Sequence, residues 1–545
     1  MAPSATTPVP KDSNALSFLG PVPRKMFENP PRILIIGAGS RGNAYAQGTL
    51  DSTNGIIAAV AEPVAYKRRE FGRKFIWGDD EGGEGKREGL EFVDWRDWVE
   101  YETSRRAAAR TGSPVPPGID AVFICVLDEM HEQVLVGIAP LNVHICCEKP
   151  LSTSLEKCIN IYKALSAVPG GGKEGRDKIF GICHVLRYSP FTMLLRQLVV
   201  EEGVVGDVLS VEHVEPVGWW HYSHSYVRGN WRNHSTTAPS LLTKSCHDID
   251  FLLWLLCTPG GASHAHKSTP PHLPSSITST GSRTFFTKQR KPAQAGPATN
   301  CLSCPHEQEC IYSARKIYKE RHLDKGVTGW PVNVVTPEIE EIYRDLGGDA
   351  AGEKLLRDLA EDYTEESDVG EVESRGWYGR CVWESDNDVC DDQHVTIQWD
   401  AEEGGGGGGG RTAKTAQFHM VAFTQNICAR RGRIYGSLAE IEYDADTIRV
   451  HDFRSGQTTV HSPHVEKGGH GGGDTGLARQ FLLAVDAVEH GGVEAGDAQR
   501  RFLGCDLDEV LRSHAAVFAA EEARVGRKVV EWATWWGERV ESRLR

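Results

Sequence analysis

Three features that quickly assign a chain to a class are missing here. No stretch approaches the run of about twenty apolar residues that spans a bilayer. Positive charge is not in excess: 75 Asp and Glu against 60 Lys and Arg leave a formal charge of -15. That balance argues against a nucleic-acid or anionic-membrane partner, which needs a basic surface to release counterions. Residues 1–30 are rich in Pro, Ser and Thr but lack the apolar core of a secretory signal, so they read as a disordered leader and the protein as cytoplasmic. Nor is there an internal repeat.

What is present is an ordinary globular composition, 40% hydrophobic and 25% charged, over 545 residues. One core rarely spans that length, so two domains with insertions are expected. The 14 cysteines, without a secretory signal, fit reduced thiols better than a disulfide framework.

Short apolar runs at residues 32–36, 56–61, 121–127 and 143–147 alternate with helical segments such as 43–50 and 131–141. Apolar strands alternating with helices imply a parallel sheet covered on both faces, here over residues 31–150. After Pro150 the pattern shifts to spaced strands at 178–184, 208–216, 395–399, 416–424 and 433–435. Helices at 155–168, 190–202, 475–488 and 506–526 accompany them. An α+β domain over residues 151–545 follows. Flexible insertions are expected near 258–299, which is dense in Pro, Ser, Thr and Gly, and near 401–412, which contains an uninterrupted glycine tract.

Gly37-Ala38-Gly39-Ser40-Arg41-Gly42 is G-x-G-x-x-G placed directly after a buried strand and opening a helix. One glycine makes the tight turn, one admits the pyrophosphate to the backbone, and one lets helix and strand pack closely. The helix N-terminus offers free N–H groups to the anion. Glu62 ends the second strand about twenty residues on, where a carboxylate accepts ribose hydroxyls and repels a 2′-phosphate. NAD(H) is therefore preferred, with NADP(H) as the alternative because Lys67, Arg68 and Arg69 are near. The competing reading is a glycine-rich turn that binds no nucleotide.

Glu148-Lys149-Pro150 follows the fourth strand, at the carboxyl edge where ligands of such sheets sit. An ammonium there can hold a substrate hydroxyl during hydride transfer. Leu127, Asp128 and His131 line the same crevice. His247 begins a helical stretch and has a side chain suited to acid/base work. Each also has a bland reading: Lys149 a surface lysine, His247 a structural histidine. Trp219, Trp220, His221, Tyr222 and Trp231 form an aromatic cluster that is either a sugar platform or plain core. Asp474 reads as the N-cap of the 475–488 helix.

These motifs together resemble the glucose–fructose oxidoreductase, inositol 2-dehydrogenase and MocA (Gfo/Idh/MocA) oxidoreductases, over nearly all of the chain from Arg32. The resemblance implies a Rossmann domain followed by a large, open, mostly antiparallel sheet, through which members form homodimers or homotetramers. It implies a carbohydrate or polyol substrate, Lys149 as the lysine of the E-K-P motif and His247 as the acid/base. By the same resemblance Gly37 to Gly42, Glu62, Leu127, Asp128, His131, Glu148 and Lys149 bind the cofactor, and His184, Arg187, Tyr188 and Asp250 face the substrate. One departure stands out: many relatives carry an aspartate four residues before the histidine, and here the position is Thr243. Threonine carries no negative charge with which to hold a histidine cation or relay a proton, and Lys244 beside it is the candidate to share the catalytic work.

Cys301-x2-Cys304-x5-Cys310 has the spacing of a zinc half-site, with Cys381 or His306 as the fourth ligand of a structural ion. The alternative is reduced, buried cysteines without metal. Three functions from different classes follow. The first is an NAD(H)-dependent oxidoreductase acting on a sugar, inositol or related polyol. The second is an NAD-assisted glycosidase or epimerase without net redox. The third is a non-catalytic dinucleotide-binding regulator.

Overall fold

Apolar runs that stop at a glycine or at a polar turn build the first layer of the computed structural model. Residues 26–79, 88–167, 177–257, 270–403, 410–464 and 470–545 are described. Most of the expected leader (1–25), part of the Pro- and Ser-rich insertion (258–269) and most of the glycine tract (404–409) lie outside the described residues.

β1 (Arg32–Ile36), β2 (Ile56–Ala61), β3 (Glu91–Phe92), β4 (Ala121–Ile124), β5 (His144–Cys147) and β6 (Phe180–Ile182) form a parallel sheet in the order β3-β2-β1-β4-β5-β6. Its central strands are buried on both faces, which is why they read as continuous apolar runs. β6 lies beyond Pro150, so the sheet continues past the boundary expected there. The chain returns to it near its end: the Gly473–Glu489 helix packs Leu477, Phe481 and Leu482 into one core with Tyr45 and Phe123. The Phe123 and Phe481 rings meet edge to face at 5.2 Å.

The second sheet has nine strands. β7 (Val208–Pro216), β8 (Ser276–Ser282), β9 (Asp392–Trp399), β10 (Lys414–Val421) and β11 (Arg431–Gly436) are joined by β12 (Ala439–Tyr443), β13 (Ile448–Asp452), β14 (Thr458–His461) and β15 (Val530–Glu531). The order is β14-β13-β12-β11-β7-β10-β9-β8-β15, and of the paired strands only β7 and β10 run parallel. In β9, Gln393, Val395, Ile397 and Trp399 point inward while His394 and Gln398 are exposed, the alternation of a sheet covered on one face. The Cys246–Leu256 and Leu507–Gly526 helices cover the inner face. β8 falls inside the region whose composition suggested a flexible insertion. Ser and Thr dominate it, but Ile277 is buried and β9 takes up its ladder, so pairing overrides composition.

A smaller core gathers the Ile339–Leu359 helix around Ile317, Tyr318 and Leu323. No helix among the described residues is long and apolar enough to cross a membrane. All fourteen cysteines are free.

Candidate active site at the domain junction

At the carboxyl edge of the first sheet the strand order reverses between β1 and β4, and the glycine-rich turn lies there. Gly37 has φ +97°, and a Cβ on it would stand 2.5 Å from the Cys125 carbonyl oxygen. Gly42 lies in the first turn of the Ser40–Ser52 helix, where a Cβ would meet the Gly37 oxygen at 2.1 Å. Gly39, which caps that helix, has no atom within 4 Å of its Cβ position. The two outer glycines are thus required by protein packing, and the middle one keeps open space in front of the first-turn amides of Ser40 and Arg41. No acidic residue occupies that first turn. A dinucleotide pyrophosphate fits this cradle.

Glu62, buried at the end of β2, accepts hydrogen bonds from the Ala38 and Val64 amides at 2.8 and 2.9 Å. Those bonds aim its carboxylate at the turn, the place where it can also accept ribose hydroxyls.

Arg41 turns away from the phosphate side. It donates to Glu148 at 2.5 Å, to Asp474 at 2.6 and 3.0 Å, and to the Tyr45 hydroxyl at 2.6 Å. Tyr45 in turn donates to Glu148 at 2.8 Å. Burial alone would raise the Glu148 carboxyl, but Arg41, Lys149 and Tyr45 outweigh it and hold it below the usual carboxylate range. Arg41 and Glu148, both expected to contact the cofactor, therefore tie the nucleotide helix to the E-K-P segment by their side chains. Asp474 sits inside its helix, which Gly472 caps, and grips Arg41 instead of capping.

The Lys149-Pro150 peptide is cis. His131 is fully buried, with Nδ1 2.7 Å from the Pro150 carbonyl and Nε2 3.3 Å from that of Val126. Both ring nitrogens are thus engaged with backbone carbonyls, and the side chain fastens the segment. Leu127 is half exposed.

Lys149 Nζ donates to the Thr243 carbonyl at 2.7 Å and lies 5.8 Å from the centre of the Trp231 ring. Trp231 Nε1 donates to Asp128 at 2.8 Å. Burial holds the Asp128 carboxyl above the usual range, against the pull of His131, Lys149 and Trp231. Trp231 is the member of the aromatic cluster that reaches Lys149. Trp219, partly buried, packs on Tyr312, and the buried Trp220 packs on Trp330.

His247 is buried at the start of its helix. Its Nε2 is 2.7 Å from Arg430 Nη2 and 3.3 Å from an Asp248 oxygen. A guanidinium can only donate, so the shorter contact makes Nε2 an acceptor and puts the ring proton on Nδ1. Nδ1 has no protein partner among the described residues. Burial first, with Arg430 and Lys149 adding to it against Asp248, holds the imidazole well below its usual value and hence neutral.

Arg430 also bonds Asp248 at 2.6 Å and pairs with Glu215 at 2.9 Å. Lys244 pairs with Glu215 at 3.1 Å and reaches Cys428 Sγ at 2.9 Å. Despite its burial, Cys428 and Glu215 keep the Lys244 ammonium above its ordinary value. Lys244 therefore shapes the site as a held cation. Glu215, Cys428 and Arg430 lie on or beside strands of the second sheet. Nothing local in the sequence marks them, because their partners are 29 to 215 positions away in the chain.

The four residues expected to face the substrate are engaged elsewhere. Asp250 takes Arg187 in a two-pronged pair at 2.7 and 2.9 Å, and His184 Nδ1 lies 3.0 Å from the same carboxylate. The Tyr188 hydroxyl donates to the Leu503 carbonyl at 3.1 Å. All four are buried. A bidentate pair satisfies both of its partners, so Arg187 and Asp250 are committed to each other, whereas His184 Nε2 has no hydrogen-bond partner among the described residues.

The four cysteines Cys301, Cys304, Cys310 and Cys381 line one cavity together with His306. Their sulfurs are not among the groups of three or more ligand atoms that, in the described residues, lie mutually within 4.8 Å. Four sulfurs around one zinc, each bound at about 2.3 Å, would stand about 3.8 Å apart. The expected single-zinc geometry is not drawn.

Residues 31–168 match the model of an oxidoreductase family with an NAD-binding Rossmann fold, GFO_IDH_MocA. A 2,7-anhydro-N-acetylneuraminate hydratase of Escherichia coli is 26% identical over 138 residues, 25% of this chain and 34% of that protein. The chain spans about a third of the length of such relatives. Two solved structures share the fold across both domains. An inositol dehydrogenase homolog of Azotobacter vinelandii, complexed with NAD+, has a TM-score of 0.56 at 14% identity, covering 93% of this chain and 98% of that one. A levoglucosan dehydrogenase complexed with NADH and levoglucosan has a TM-score of 0.54 at 14% identity, covering 92% and 99%.

Proposed function

Because the chain belongs to the Gfo/Idh/MocA oxidoreductases through its Rossmann domain, we propose that it is an NAD(H)-dependent enzyme acting at a CH–OH carbon of a sugar, inositol or related polyol. The observation that carries this reading is the placement of Lys149. It stands at the carboxyl end of β5, beside Trp231 and the neutral His247, with its ammonium fixed on the Thr243 carbonyl. The names of the two structural neighbours point to the same substrate class.

NAD(H), when bound, supplies or accepts the hydride. Glu62 and the glycine turn hold its adenosine and pyrophosphate ends, and Glu62 favours NAD(H) over NADP(H). One of the three Lys149 N–H bonds is used by Thr243, which leaves two for the reacting oxygen. An ammonium there stabilises the negative charge that develops on that oxygen. His247 offers Nδ1–H to the same region and polarises the oxygen as a neutral donor. When Arg430 withdraws to Glu215 and Asp248, the two carboxylates it already holds, the ring proton can sit on Nε2 facing Asp248, and Nδ1 is then the nitrogen that accepts the hydroxyl proton.

Lys149→Met tests the assignment. NAD(H) binding, followed by titration, should be retained, while kcat/KM on the best polyol falls about 100- to 1,000-fold. Full turnover by this variant would defeat the role given to Lys149.

A second reading keeps the cofactor and removes net redox. It is favoured by Thr243 in place of an aspartate, by the capture of His247 Nε2 by Arg430, and by a relative named as a hydratase. Copurified dinucleotide together with turnover that needs no added cofactor would select it.

A further inference from the structure

Arg228 is 1% exposed, yet it has no carboxylate within salt-bridge distance among the described residues. Its Nε donates to the Arg380 carbonyl at 2.6 Å and its Nη2 to the Tyr312 carbonyl at 2.7 Å. Nη2 also touches Cys301 Sγ at 3.3 Å, and Nη1 has no partner. A guanidinium does not shed its proton in a protein, and a buried cation without a counter-charge is strongly destabilising. Arg187, equally buried, solves the problem with Asp250. Arg228 faces a cavity that it lines with Cys301, Cys304, Cys310 and Cys381. Glu307 borders the same cavity, but its carboxylate is taken by the Ser313 hydroxyl.

The backbone holds these cysteines in place. The Cys304 amide donates to the Cys301 carbonyl at 3.3 Å, closing the C-x2-C turn. The Cys310 amide donates to the His306 and Glu307 carbonyls at 3.2 Å. A short antiparallel clip joins the remaining pair of segments: the Cys301 amide donates to the Gly379 carbonyl and the Cys381 amide to the Thr299 carbonyl, both at 2.8 Å. Four thiols from three turns therefore converge on one cavity that also contains an unpaired buried cation.

We propose that Cys301, Cys304, Cys310 and Cys381 hold a metal centre as thiolates, and that its net negative charge is the counter-ion of Arg228. Binding releases the four thiol protons to solvent. Four thiolates around one Zn2+ leave a dianion, as do four thiolates around a [4Fe–4S]2+ core. Either core more than offsets the charge of Arg228, and Nη2 donates to the Cys301 thiolate. The sources differ in spacing. A single zinc must draw the sulfurs closer than they stand, whereas a cluster spans sulfurs that are further apart. The centre is structural: it pins the 301–310 turns to the segment around Cys381, and it is independent of the reaction at Lys149.

The test is metal and acid-labile sulfide analysis of the full chain, purified anaerobically without chelator and with any tag removed. The expected result is either about one zinc per chain, or about four irons with matching sulfide and a visible absorption that bleaches on reduction. Cys304→Ser should lower metal content at least tenfold, and Arg228→Met should lower it with all four cysteines intact, both read beside unchanged NAD(H) binding. Metal below about a tenth of an equivalent, together with alkylation of all four cysteines in the native protein at the rate of free thiols, would overturn the proposal. Where Cys304→Ser fails to fold, the metal analysis and native alkylation of the unmodified chain decide alone.

Discussion

The two ends of the cleft are built on different plans. The nucleotide end is six consecutive residues plus Glu62, and its demands are those of the backbone: a left-handed φ at Gly37, a forbidden Cβ at Gly42, open space at Gly39. The proposed substrate end draws Lys149 from one domain and Thr243, His247 and Arg430 from the other, and its demands are charge pairings over long sequence distances. Backbone demands select particular residues and leave a mark in the sequence. Long-range pairings are satisfied by whichever partner the fold delivers, and they leave none.

The contrast can be broken or sharpened by experiment. The largest effect is expected at Asp250. If it belongs to the architecture and not to the substrate, Asp250→Ala strands Arg187 in the interior and costs about 3–5 kcal/mol of stability, read by denaturant unfolding. KM, measured where the variant is folded, should hardly move. A large rise in KM at near-normal stability would return Asp250 to the substrate site.

Next come the glycines. Gly42→Ala forces a contact with the Gly37 oxygen and should cost about 1–3 kcal/mol in stability as well as NAD(H) affinity. Gly39→Ala meets no protein atom and should leave the melting temperature in place while weakening NAD(H) about tenfold. Equal behaviour of the two would remove the distinction between packing and ligand roles.

A change of pH dependence is expected at Arg430. His247 is held below its ordinary value by burial first and by Arg430 in addition, so it stays neutral as pH falls. Arg430→Gln removes a cation and frees Nε2, which raises the group. The acidic limb of the kcat/KM profile should then move to higher pH. An unmoved limb, with folding confirmed, would exclude His247 from the rate.

The smallest effect is at Glu62. Glu62→Ala should reduce the preference for NAD(H) over NADP(H) by about tenfold in Kd, roughly 1.4 kcal/mol.

How much was legible follows from the same contrast. The parallel sheet, the glycine turn and the position of Lys149 were readable because strand periodicity and glycine placement are local. β6 was read as a strand, but its membership in the first sheet was not, since only its pairing with β5 reveals it. β8 was hidden by its serines and threonines. His184, Arg187, Tyr188 and Asp250 were assigned to the substrate by resemblance, and the structure joins them to one another and to Leu503. His131 and Arg41 were assigned to the cofactor, and their side chains serve Pro150, Glu148 and Asp474. In each case the residue type was informative about chemistry and silent about its partner. Cys301, Cys304 and Cys310 were legible as a group, whereas the isolation of Arg228 required knowing what does not surround it.

The grip of Arg41 on Asp474 crosses 433 positions, and it lies beside the seat of Leu477, Phe481 and Leu482 against Tyr45 and Phe123. During synthesis the helix that completes the hydrophobic backing of the glycine turn emerges 433 positions after Arg41, as its Asp474 shows. The nascent nucleotide domain must therefore wait, with part of its core uncovered, until the Gly473–Glu489 helix has emerged. Release of a chain that stops before residue 473 should yield a species that binds chaperones and not NAD(H).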